Sequence, residues 1–196
     1  MNALALGLAL GAITGMPLGV VNVAIVDAAL ARARSHAFGL GLGGATADTV
    51  HAALAFLGIS RLVTAHPEWL RVLAIAFAIV MFGYAVFAWR KHHVAKQVSG
   101  GSVVKGWTSG LALTLPNPGA LGGWAAIATA MWPAATTEDA IAFALGVGIG
   151  SAVWFTVLGR LVATIRPDHP ALRVVPRIAL GLFVGIAIVG IVRAFT

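Results

Sequence analysis

The chain contains no cysteine, which excludes disulfides, thiolate metal ligands and thiol redox chemistry. Charge is scarce as well: Asp, Glu, Lys and Arg make up 10% of the 196 residues, against 60% hydrophobic ones. That balance, with a mean hydropathy of +0.96, excludes the soluble globular class and points to a polytopic membrane protein. Signatures of enzymes are missing too. There is no Gly-x-x-x-x-Gly-Lys phosphate loop, so ATP is not the energy source. Neither Gly-x-Ser-x-Gly nor His-Glu-x-x-His occurs. The sequence does not read as an enzyme, and no cofactor is expected.

The charges that are present are unevenly placed. A net charge of +7 in a soluble protein would raise the question of nucleic acid. Here the basic residues lie between apolar stretches, so they read as topology determinants and no nucleic-acid partner is expected. Six apolar spans are predicted, at 3–31, 38–64, 69–89, 107–132, 140–165 and 172–192. The N-terminus lacks the positive n-region of a signal peptide, so the first run reads as a retained span. Arg32, Arg34, Arg90, Lys91, Lys96, Lys105, Arg160, Arg166, Arg173 and Arg177 fall on one side. Only Arg61, Arg71 and Arg193 fall on the other, with Glu68, Glu138 and Asp139. The richer side is cytoplasmic, which puts both termini outside the cell (inner) membrane. Trp69, Trp89, Trp107 and Trp132 stand at predicted span ends, where an aromatic belt places them.

One stretch organises the rest: Thr114-Leu115-Pro116-Asn117-Pro118-Gly119-Ala120. It lies midway along residues 107–132, which as a helix would be about 39 Å long, enough to cross a bilayer. Two prolines in its middle forbid one continuous helix, because the carbonyls of Ala112 and Thr114 lose their N–H partners. Asn117 followed by Pro118 is the sequence of a helix start, a capping side chain and then proline as first helical residue. The span therefore reads as two half-helices. Span one carries a similar interruption, Gly15-Met16-Pro17-Leu18-Gly19. In lipid, broken backbone is tolerated only where it is buried or lines a cavity. Transporters use such breaks at the midplane to build substrate sites.

The two halves resemble each other. Gly7-Leu8-Ala9-Leu10 recurs as Gly110-Leu111-Ala112-Leu113, the Phe38 to Gly43 run as Phe143 to Gly148, and Leu70-Arg71-Val72 as Leu172-Arg173-Val174. The offsets are close to 103 residues. Three spans per copy make the second copy enter from the opposite side, an inverted repeat. The expected fold is thus an all-α integral membrane bundle of six transmembrane helices in two inverted three-helix repeats. Residues 1–98 hold the first repeat and the start of a cytoplasmic linker, and 99–196 the second. The first and fourth helices are broken at proline.

Gly15-Met16-Pro17-Leu18-Gly19 with Asn22, Gly43-Gly44-Ala45-Thr46-Ala47-Asp48, and Leu115-Pro116-Asn117-Pro118 resemble the three signatures of the LysE-type amino-acid exporters. That family has a Gly-Pro-x-Gly-Pro break in helix one, an Asp on a Gly-rich helix two, and an Asn-Pro break in helix four. Val20 stands where the pattern has its second proline, and Met16 precedes Pro17. The resemblance implies export of amino acids driven by an ion gradient, usually protons. Relatives in the same family also include metal-ion exporters.

The residues themselves suggest a site. With the termini outside, the half-helices starting at Pro17 and Pro118 both begin near the midplane. Each would present unpaired N–H groups and a partial positive charge, suited to a carboxylate. Asp48 lies well inside the apolar layer, where an ionisable group is a functional candidate by default, and it suits a proton carrier. His51 follows three residues on, on the same helix face. Gly41, Gly44 and Ala45 continue that face, matched in the second half by Gly146, Ile149, Gly150, Val153 and Thr156, so the acid is not duplicated. A cap on a broken helix is the structural alternative for Asp48, and buried polarity the alternative for Asn22. Ser151 and other hydroxyls are uninformative singly.

The reading is a secondary transporter exporting a small amino acid or similar zwitterion by proton antiport. Gly15, Pro17, Gly19, Asn22, Asp48, Asn117 and Pro118 would bind substrate, and Asp48 and His51 would couple protons. No resident metal is expected. The partners are the amino acid, protons, the bilayer and a second copy of the chain as a homodimer. Two rivals stay open: a divalent-metal exporter on the same scaffold, using Asp48 and His51, and a membrane assembly subunit without transport.

Overall fold

A computed structural model of the chain describes residues 2–16, 19–57, 68, 72, 75, 79, 82–83, 101–131 and 136–165. Within them the chain is all-helical, in six elements and without strands. These are α1 (Ala3–Gly15), α2 (Val20–Leu30), α3 (Arg34–Phe56), α4 (Val103–Thr114), α5 (Pro118–Met131) and α6 (Thr137–Thr164). The six helices are not the six expected spans. α1 with α2 covers span one, α3 most of span two, α4 with α5 span four, and α6 span five. Most of the expected span at 69–89, all of the one at 172–192 and the 90–100 part of the linker lie outside the described residues.

Local chemistry starts each helix. Asn2 accepts from the Ala5 N–H at 3.2 Å to cap α1, and Ser102 does the same for α4 through Lys105. A reciprocal capping box of Thr136 and Asp139 starts α6, satisfying N–H groups that a helix leaves unpaired. α6 has 28 residues and holds an 18-residue window with a mean hydropathy of 2.0, long and apolar enough to cross a membrane alone. α1 and α2 meet that test only as a pair, with 69° between their axes. α2 is apolar except for Asn22 and Asp27 and is buried from Val20 through Ile25, as a helix inside a bundle must be.

Two seams hold the bundle, and both are built from glycine against backbone. Along α1 and α6, a Cβ at Gly7 would run into the carbonyl oxygen of Phe143, and one at Gly11 into that of Val147. From the other side, Gly146 faces the carbonyl of Leu4 and Gly150 that of Leu8. Along α3 and α4, Gly39 and Gly43 face the carbonyls of Val103 and Trp107, while Gly106 and Gly110 face those of His36 and Leu40. Hydrocarbon gives helices no hydrophobic reason to associate, so close van der Waals contact between backbones supplies the adhesion. Residue numbers rise together along each seam, so α1 runs parallel to α6 and α3 parallel to α4. Between α3 and α6 the order is opposed: Gly148 meets Thr49, whereas Gly41 meets Phe155.

The seams share one numerical relation. Gly7 and Gly110 are 103 positions apart, and so are their partners Leu40 and Phe143 with the roles exchanged. The contact of Gly43 with Trp107 maps in the same way onto that of Gly146 with Leu4. This offset corrects the register suggested by the Phe38 and Phe143 runs, which pairs Gly41 with Gly146 and Asp48 with Val153. The helix contacts pair Gly43 with Gly146, and Asp48 therefore with Ser151. The reason is steric: the positions where two backbones touch are those that tolerate only glycine, and they set the register.

Candidate functional site

At the first interruption α1 ends at Gly15 and α2 starts at Val20, with Gly19 extended (φ −89°, ψ 170°) in the N-cap position. The α2 half-helix thus begins three residues later than the Pro17 start that the sequence suggests. Glycine brings no side chain to the cap, so Gly19 itself makes no side-chain cap bond. Asn22, 3% exposed, is committed at both ends of its amide. Its Nδ2 donates to the Gly15 carbonyl at 2.9 Å, and its Oδ1 accepts from Trp154 Nε1 at 3.2 Å. The carboxamide that could have reached a ligand instead ties α1, α2 and α6 together. Gly15 is small for the same reason: a Cβ there would sit 2.9 Å from the Trp154 ring.

The second interruption is closed differently. The Thr114 carbonyl, which Pro118 cannot serve, accepts from Asn117 N–H at 3.0 Å. Asn117 Oδ1 in turn accepts from Gly119 N–H at 3.0 Å and Ala120 N–H at 3.3 Å. The first donors of α5 are therefore occupied by its own cap, so the expectation of free N–H groups at the half-helix start is not met there. His51 Nε2 lies 3.0 Å from the Leu115 carbonyl. A carbonyl only accepts, so Nε2 carries the hydrogen. His51 thus takes the place of the Gly119 N–H, which Asn117 has captured.

Asp48 stands between these two regions on α3. It is half-buried, and its carboxyl is hydrogen-bonded to Ser151 on α6. The Ser151 hydroxyl, wholly buried, lies 3.3 Å from the Gly11 carbonyl on α1, a second acceptor within reach of its one proton. Ser151 thus links Asp48 to α1, Trp154 one turn further along α6 links to Asn22 and through it to Gly15, and His51 links α3 to the second interruption. Pro17 lies outside the described residues, and nothing is described of the Pro118 ring. Two further polar atoms, His51 Nδ1 and Thr114 Oγ1, are buried without a hydrogen-bond partner. Among the described residues no three His, Asp or Glu side chains group as metal ligands do.

Ser151 and Trp154 make contacts that sequence reasoning passes over. A serine in an apolar span is common. Trp154 carries a stronger signal: it sits mid-helix, away from the interfaces that tryptophan favours, so its N–H needs a partner inside.

A helical bundle sealed by backbone-to-backbone glycine contacts, with an acid held at the centre beside two helix interruptions, defines a polytopic membrane protein with an intramembrane polar site. The chain belongs to the LysE type translocator family, whose model matches residues 12–193. It is a multi-pass membrane transporter and not an enzyme. No curated protein and no solved structure matches the chain.

Proposed function

We propose that the protein exports a small amino acid or similar zwitterion across the cell membrane by proton antiport. The observation that carries this reading is the placing of Asp48. It is bonded through Ser151 to α1, and one turn before it Gly44 touches Val21 at the start of α2. The N-terminus of α2, whose N-cap is the side-chain-less Gly19, would take the substrate carboxylate, and Asp48 would hold the amine. Asn22 and Asn117 shape the site by fixing the two interruptions. One proton falling through 100 mV releases about 2.3 kcal/mol, enough for a roughly fiftyfold gradient of a neutral solute.

The inverted repeat belongs to the same proposal. The exchange of partners at a constant offset of 103 between the two seams, and the opposed directions of α3 and α6, support a two-fold relation in the membrane plane. With both termini outside, a cysteine placed at Ser99 should label from the cytoplasm and one at Thr137 from outside. Labelling of both from one face would remove the inverted repeat.

Competition in inside-out vesicles tests the substrate. An anion at a partly buried helix start gains up to about 2 kcal/mol. An amino acid should therefore outcompete its decarboxylated amine by roughly thirtyfold. Equal potency would mean that no carboxylate is bound there, leaving a cation centred on Asp48.

A further inference from the structure

Asp48 has one hydroxyl bonded to it and a second at its level. Ser151 bonds to the carboxyl and to the Gly11 carbonyl. Thr114 lies one turn past Gly110, whose backbone packs on Leu40 and on Gly44 in the parallel α3–α4 seam. One turn further along both helices brings Thr114 to the level between Gly44 and Asp48. Its Oγ1 is the buried hydroxyl without a partner. The 103 offset gives the same placement independently: Ser151 bonds to Gly11, and their counterparts are Asp48 and Thr114.

We propose that the proton on Asp48 decides which broken span is tied to the centre, by redirecting these two hydroxyls. A hydroxyl has one proton to give and two lone pairs to receive with. When Asp48 is neutral, its O–H donates to Ser151 Oγ, and Ser151 donates onward to Gly11, so α1 is held. When Asp48 releases its proton to water on the open side, only acceptors remain on the carboxylate. Ser151 then turns its O–H from Gly11 to Asp48, and Thr114 donates to the same group, so α1 is freed and α4 is held. Two hydrogen bonds exist in each state, so the exchange loses none. This rests on the reading of Asp48 as the coupling acid and extends it: Ser151 and Thr114 are positioning residues that convert protonation into a choice between the first and fourth spans.

Other titratable groups on the packed helices do not compete at this level. α1, α4 beyond Lys105, and α5 contribute none. His51, one turn along α3, is committed to Leu115. Asp27 on α2 lies six residues past Val21, the contact of Gly44. Arg34 and His36 on α3, Lys105 on α4, and Glu138, Asp139 and Arg160 on α6 are nine or more residues along their helices from Asp48, Thr114 or Ser151, at least about 13 Å.

The test needs no substrate. Infrared difference spectra of the full chain in phosphatidylcholine vesicles, wild type minus Asp48→Asn, isolate the carboxyl band at acid pH and the carboxylate bands at alkaline pH. Ser151→Ala should move the acid band to higher wavenumber, because the neutral carboxyl loses its acceptor, whereas Thr114→Val should leave it in place. At alkaline pH both variants should move the carboxylate bands. An acid band indifferent to Ser151→Ala, or carboxylate bands indifferent to Thr114→Val, would each overturn the proposal. Should Ser151→Ala not fold, Ser151→Cys, a weaker partner of similar size, must give a smaller shift in the same direction. These bands report on Asp48 whether or not a carboxylate substrate binds, so their outcome is separate from that of the vesicle competition.

Discussion

The two helix interruptions face the same problem and answer it with different chemistry. At the first, the stranded carbonyl of Gly15 is taken by the Asn22 amide, itself held by the Trp154 indole. At the second, the stranded carbonyl of Leu115 is taken by the His51 imidazole. Trp154 and His51 are 103 positions apart, as are Ser151 and Asp48. In each case the long helix of one half services the interruption of the other half. On α6 the two groups, a hydroxyl and an indole, do not titrate in the working pH range. On α3 they are a carboxyl and an imidazole, both ionisable groups. The ionisable groups thus stand on one of the two long helices, α3, and non-ionisable ones stand at the matching positions of α6.

The largest effect that sharpens this contrast is expected on α3. Asp48→Asn keeps a polar side chain beside Ser151 but removes the titrating group. Gradient-driven amino-acid export should vanish while counterflow exchange persists, measured in vesicles with and without a pH gradient. Export at the wild-type rate would show that the proton is carried elsewhere.

Next come the seams, where the halves should behave alike. Gly7→Leu and Gly110→Leu each drive a side chain into a backbone carbonyl, a clash that the carbonyl cannot avoid without moving its helix. Each should cost at least about 1–3 kcal/mol, the usual range for overpacking, and lower the unfolding temperature in detergent by similar amounts. A large drop for one with none for the other would break the equivalence of the seams.

The smallest effects compare the two closures directly. Asn22→Ala strands the Gly15 carbonyl and the Trp154 N–H together. His51→Leu strands only the Leu115 carbonyl. Hydrogen bonds inside membrane proteins average about 0.6 kcal/mol, with a maximum near 1.7, so Asn22→Ala should destabilise about twice as much. His51→Gln, which can still donate to Leu115, should recover most of the loss. Thermal unfolding of the three variants checks the order, and a His51→Leu loss exceeding that of Asn22→Ala would reverse it.

Much of the frame was legible in the residues. Charge scarcity and apolar runs give a helical membrane protein, because a backbone in lipid must satisfy itself internally. Asn117 before Pro118 gives the start of α5, since capping and the proline restriction act within four residues. Gly7 and Gly110 stand in matching sequence because close approach leaves no room for a side chain. The Asp48 position marks itself by the cost of an ionisable group in hydrocarbon.

The rest depended on contacts that no local pattern encodes. Asn22 reads as a group free to meet a ligand, yet Gly15 and Trp154 occupy it, the latter 132 residues away. Asn117 reads as the rim of an anion site, yet its side chain fills that site itself. Ser151 is one hydroxyl among several until the antiparallel packing of α3 and α6 sets it against Asp48. The register illustrates the same limit: letter matching favours an offset of 105 for the second helix of each half, and helix contacts impose 103. Sequence determined which groups must find partners, because that follows from the chemistry of each residue in lipid. Which partner each one found was decided only when the helices packed, because a hydrogen bond is fixed by distance in space and not by separation along the chain.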